Sequence, residues 1–109
     1  MLSKSDLAKL LCIADHYSGF ALLLTCLNCA LRDESLLRPI AKNLYSIAAE
    51  QHGTTVSHVT CSIRNLIRIW WRRGDRSFWP NYSTSSKKPP GNREFICILV
   101  AYLQHEQNK

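Results

Sequence analysis

The sequence predicts an all-α fold, a compact bundle of about six helices containing a helix-turn-helix. Three observations carry this. Apolar residues recur at intervals of three and four along several stretches, no stretch alternates convincingly with period two, and Gly, Pro and Ser breaks separate segments of helical length. At 109 residues the chain is expected to form a single domain over 1–109 with one modest core.

The first helix is expected to start near Ser5, with Leu7, Leu10, Leu11 and Ala14 at helical intervals, and to break at Ser18-Gly19. A more apolar helix follows in FALLLTCLNCALRD. Its Leu22, Leu23, Cys26, Cys29 and Ala30 predict burial on more than one side, as in the central helix of a small bundle. Ser35 can begin a short third segment. Because Pro is tolerated in a first helical turn, a helix from about Leu37 or Arg38 to Gln51 is the next expectation.

The most informative stretch runs from Ala48 to Gly74. Ala48 and Ala49 allow close helix approach, Gly53 supplies a turn position suited to positive φ, and Thr55 can cap the following helix through its hydroxyl. That helix is expected from about Val56 to Arg73. Val59, Ile63, Leu66, Ile67 and Trp70 share a core face, while Ser57, Cys61, Arg64, Arg68 and Arg72 line another. Gly74 is its natural stop. Asp75 to Gly91 reads as a long loop with one helical turn around Phe78-Trp79, and a final helix runs from Asn92 to about Gln104, with Phe95, Ile96, Leu99, Val100 and Leu103 facing inward.

The formal charge of +6 makes an anionic partner plausible, and the placement of that charge sharpens the expectation. Arg64, Arg68, Arg72, Arg73 and Arg76 fall in one short segment, with Lys87, Lys88 and Arg93 soon after, and no acidic residue occurs from Ser57 to Arg73. A row of arginines can also be no more than a solvated surface. Here it lacks partners within its own helix, and it lies on the second helix of a helix-turn-helix, the element that such motifs place in the DNA major groove. Residues near the start of such a helix reach base edges and flanking residues meet phosphates. Ser57, His58, Thr60, Cys61, Arg64 and Asn65 are the candidate base readers. Thr55, Arg68, Arg72, Arg73, Lys87 and Lys88 are the candidate phosphate contacts.

Other chemistry finds little support. Five cysteines without a signal-peptide layout point to free thiols in a reducing cytoplasm. Cys26-x-x-Cys29 lacks the further ligands of a zinc site and lies inside an apolar helix rather than at a helix start, so packing is the expected role. No HExxH, no Gly-rich phosphate loop and no supported Ser/His/Asp arrangement appears, so neither enzyme activity, nor a cofactor or metal, nor a small-molecule substrate is expected. The apolar run Phe95 to Leu103 is too short to span a bilayer.

Taken together, His16 and Gly19, Leu36-Leu37, Lys42 with Leu44-Tyr45, Ala49, Thr54-Thr55, Ser57, Val59, Ile63-Arg64, Trp71, Arg73-Gly74, Asn92 and Glu94-Phe95-Ile96 follow one another in a characteristic order and spacing. By them the chain resembles the C-terminal DNA-binding (effector) domain of the sporulation master response regulator of endospore-forming bacteria, the stage zero sporulation protein A family. The resemblance holds without a gap from about residue 7 to Gly74, then across a shortened, Pro-rich loop to Asn92. It implies a six-helix all-α domain that binds promoter DNA, paired as a homodimer or in tandem. Ser57 and Arg64 keep the family's residue type, and His58 stands where a basic residue is usual. Thr60 and Cys61 replace an acidic and a basic residue that look like base readers, and Asn65 replaces a histidine. Lys87 approximates a loop lysine of the family. Relatives carry an N-terminal receiver domain, and nothing of the kind fits before Ser5. If the chain stands alone, its binding is expected to be constitutive or set by a partner.

The expected function is that of a sequence-specific transcription regulator bound to double-stranded DNA. The alternative is a protein-interaction module that keeps the fold and turns its basic face to an acidic protein, with Trp71, Trp79 and Tyr82 as anchors.

Overall fold

A computed structural model describes residues 2–74 and 89–107. Among them are five α-helices and no strand. The helices are α1 (Lys4–Leu11), α2 (Phe20–Arg32), α3 (Ser46–Gln51), α4 (Val56–Arg73) and α5 (Asn92–Gln107). A 3₁₀ turn (Glu34–Leu37) and a π-helical turn (Ala41–Tyr45) lie between α2 and α3.

Among the described residues, one departure from the expected helices has a local cause. Between α2 and Pro39 the chain forms only the 3₁₀ turn, capped by Asp33, whose Oδ1 accepts from the Ser35 N–H (3.1 Å) and hydroxyl (2.6 Å). The residue before a proline is sterically pushed out of the α region, and Arg38 is extended at φ −138°, ψ 114°. A helix containing Leu37 or Arg38 is therefore ruled out, and the helical run toward Gln51 starts after Pro39. The first helix is also shorter than its apolar spacing suggests. Ser3 caps it by accepting from the Asp6 N–H at 3.1 Å, and it closes at Leu11, where Cys12 turns left-handed at φ 56°. Ala14 lies beyond the helix and is exposed.

Helix α2 is buried on more than one side: Phe20, Leu22, Leu23, Cys26, Leu27, Cys29 and Ala30 all belong to the core. The chain start is pinned to it by a reciprocal pair, in which the Leu2 N–H donates to Asn28 Oδ1 and Asn28 Nδ2 donates to the Leu2 carbonyl, both at 3.0 Å. Helix α4 packs against α2, α3 and α5. Its core arc is closed by Val59, Ile63, Leu66, Ile67 and Trp70, with Trp70 against Phe95 of α5 at 4.8 Å between ring centroids. In α5, Phe95, Ile96, Leu99 and Val100 are buried, and Leu103 is half-buried at the margin.

Two glycines permit close packing around α4. A Cβ at Gly19 would collide with the Ser62 carbonyl, so the start of α2 rests directly on the α4 backbone. A Cβ at Gly74 would lie 2.5 Å from the Leu11 carbonyl oxygen and from Trp70 Cδ1. Gly74 does stop α4, with an extended backbone (φ −85°, ψ −178°) rather than a left-handed one. Its small size lets the end of α4 meet the end of α1.

Candidate nucleic-acid interface

The turn between α3 and α4 is built from its residues in a defined way. Gly53 sits at φ 64°, and nothing would touch a Cβ there, so backbone conformation alone selects glycine. The Thr54 N–H donates to the Ala49 carbonyl (2.9 Å) and the Gly53 N–H to the Glu50 carbonyl (3.3 Å). These bonds form a Schellman closure that satisfies the last carbonyls of α3. Thr55 is extended and accepts from the His58 N–H at 3.1 Å, which caps α4. His52 Nε2 lies 2.8 Å from Thr25 Oγ1, tying the turn to α2. Ala48 and Ala49 are buried where α3 meets its neighbours.

Helix α4 therefore leaves the turn with a fixed direction and a fixed roll. Ser57, His58, Cys61, Arg64 and Asn65 are all exposed, and so are Arg68, Arg72 and Arg73. The cations Arg64, Arg68 and Arg72 repeat every four residues, which stacks them along one side of the helix. Among the described residues none of them is held by a carboxylate. Arg72 and Arg73 stand in the last turn, where the helix dipole already favours cations. Arg64 and Arg68 lie further from that end and owe less to it.

Two members of the predicted set differ from the rest. Thr60 is half-buried. Its hydroxyl donates to the Val56 carbonyl (2.9 Å), and its own carbonyl accepts from Asn92 Nδ2 (2.9 Å) at the start of α5. It sits at the flank of the exposed arc. Thr55 is exposed, but its hydroxyl is engaged as the cap. Lys87 and Lys88 lie outside the described residues, as do Trp79, Tyr82 and the helical turn expected around Phe78-Trp79. Trp71, an anchor in the alternative reading, is half-buried and in edge contact with Trp70 at 5.8 Å.

The Asn92 side chain was not foreseen as a link between α4 and α5. An Asn directly after Pro-Pro-Gly at a helix start was the available signal, although nothing in its spacing pointed to Thr60.

The thiols show why Cys26-x-x-Cys29 behaves as packing. Both residues are buried in α2, and burial, with the neighbouring Cys29 adding to it, pushes the Cys26 thiol up to about 12. A thiol held protonated at neutral pH is a poor nucleophile. Among the described residues no group of three or more His, Cys, Asp or Glu side chains is placed to hold a metal ion, and no helix is long and apolar enough to cross a membrane.

Residues 5–103 match the family model described as sporulation initiation factor Spo0A, C terminal. The match spans nearly all of α1 through most of α5, and the chain belongs to that family. The family is the DNA-binding domain of a sporulation regulator and not a family of enzymes.

Proposed function

We propose that this member of the Spo0A C-terminal family is a sequence-specific transcription regulator that reads duplex DNA with α4. In this reading α3, the Gly53 turn and α4 form the helix-turn-helix, α4 enters the major groove, and α3 supports it from behind. The observation that carries it is the arginine side of α4, exposed and, among the described residues, held by no carboxylate, on a helix whose opposite side is core.

The roles follow from position along α4. Ser57, His58, Cys61, Arg64 and Asn65, in the first half and exposed, are the base readers. Arg64 is suited to a bidentate contact with guanine and Asn65 to adenine. Thr60, at the flank and bonded to its own helix, is the weakest of the base-reading candidates. Arg68, Arg72 and Arg73, with Lys87 and Lys88, contact phosphates. Thr55 serves first as the cap that holds the helix start in place. The domain pairs on DNA as a homodimer or in tandem, and the arrangement of enriched sites selected from random DNA separates a palindrome from a direct repeat.

Titration of duplex DNA at two salt concentrations tests this reading. Arg64→Ala is expected to weaken specific binding by about 1–3 kcal/mol and to relax selectivity at one position. Arg68→Ala is expected to weaken binding to all sequences and to reduce the slope of log K against log salt by about 0.9. Absence of binding to any duplex at low salt would remove the proposal.

A further inference from the structure

Beside the exposed arc of α4 lies a cavity of about 380 Å³. Its walls come from α4 (Arg64 and Arg68), from the π-helical turn (Tyr45) and from the start of α5 (Gly91, Asn92 and Arg93), and among the described residues no carboxylate lines it. Thus three guanidinium-bearing side chains converge on one opening. The first turn of a sixteen-residue helix, whose free N–H groups favour anions, forms one side of it.

A second observation is independent of the charges. Tyr45 is 3 % exposed, and its buried hydroxyl makes no hydrogen bond of good geometry, the one such side-chain atom among the described residues. Burial pushes this phenol up to about 12, while the Asn92 side chain, close enough to hydrogen-bond it, and the Arg64 charge, both lining the same cavity, pull against that rise. A buried hydroxyl left without a partner is costly, and one that lines a cationic cavity acquires a partner when an oxyanion enters. The cavity lies in the size range of small-molecule sites and exceeds what a bare phosphate needs.

We propose that this cavity binds a phosphate group carried on a sugar, with Arg68 and Arg93 holding the oxygens, Arg64 adding its charge at the rim, the first turn of α5 closing one side, and the Tyr45 hydroxyl donating from the wall. Arginine forks and a helix start recognise the same chemistry in a DNA backbone phosphodiester and in a free nucleotide. The proposal stands on the cavity and does not require the DNA reading.

The test uses the isotope-labelled full chain, with inorganic phosphate replacing chloride at constant ionic strength and backbone amide resonances as the readout. The amides of residues 91–94 are expected to shift along a saturating curve, and Tyr45→Phe and Arg93→Gln each to weaken the fitted affinity about tenfold, the effect of losing one hydrogen bond to a charged group. Tyr45→Phe is also expected to melt no lower than the parent without phosphate, because the deleted hydroxyl has no well-formed hydrogen bond to lose. Shifts that rise linearly and spread over all the surface arginines, an unchanged affinity in Tyr45→Phe, or a lower melting temperature for that variant before phosphate is added each overturn the assignment.

Addition of a short duplex then identifies the source. Expulsion of phosphate from the cavity points to the DNA backbone, and retention in a ternary complex points to a free phosphorylated sugar; either keeps the pocket. Duplex binding with no saturable phosphate response overturns the pocket and leaves the DNA reading intact. Saturable phosphate binding with no duplex binding does the reverse.

Discussion

Helices α2 and α4 pack against each other in the core but divide their surfaces differently. In α2 the buried positions run around most of the circumference, and the only charge is Arg32 in its last turn. In α4 the buried positions occupy one arc, and a run of cations occupies the other. The first helix is committed to the fold on nearly every side, whereas the second uses half its surface for the fold and leaves half for a partner. An exposed arginine row says little on any helix, but beside a neighbour buried on nearly every side it marks where this domain keeps its cationic surface.

Four measurements break or sharpen that contrast. The largest effect should come from the buried arc of α4. Trp70→Ala empties the space against Phe95 and is expected to cost about 3–5 kcal/mol in urea denaturation, while Arg68→Ala on the other side changes stability by less than about 0.5 kcal/mol. Comparable losses for the two variants would erase the division.

Next comes alkaline pH, which probes α2. The Cys26 thiol is raised from 9.0 to about 12 by burial, so above pH 9 the unfolded thiol ionises while the folded one stays protonated. Tyr45 adds the same effect from pH 10 to about 12. Stability is therefore fully kept below pH 9 and falls as the pH rises toward 12. Cys26→Ala should flatten the first part of that fall, and a flat profile in the parent would show that the thiol is not desolvated.

A smaller loss is expected at the joint between the two helices. Gly19→Ala drives a methyl into the Ser62 carbonyl and should destabilise by about 1–3 kcal/mol. The same variant should also weaken DNA binding by moving α4, which a mutation acting only on α2 would not do. Smallest is Thr55→Ala, which removes the α4 cap for about 1 kcal/mol. Its check is thermal melting, with Thr55→Ser expected to restore most of the loss.

The arc division of α4 was legible in the sequence because both its signals are local. Apolar spacing fixed Val59 to Trp70 on one side, and the cap at Thr55 and the glycine at position 53 fixed where the helix begins. The Val56 bound follows from the Thr55 cap and the Arg73 bound from Gly74. What stayed hidden depends on tertiary geometry or on competing local rules. Leu10 and Ala14 suggested a longer first helix, yet the chain turns left-handed at Cys12. Pro39 was readable as a first-turn proline, but its effect on Arg38 wins and splits the segment. The engagement of Thr60 by Asn92, and the meeting of Arg93 with Arg64 and Arg68 around Tyr45, join positions far apart in the chain. Periodicity carries no information about such meetings.

The steric fit between Gly19 and the Ser62 carbonyl has a consequence for engineering. With the start of α2 seated on the α4 main chain at Ser62, side chains at the front of α4 can be exchanged without resetting how the helix is mounted. Ser57, Cys61, Arg64 and Asn65 then behave as an interchangeable cassette on a rigid chassis. A library confined to those positions should yield domains with altered operator preference and nearly uniform folding yields.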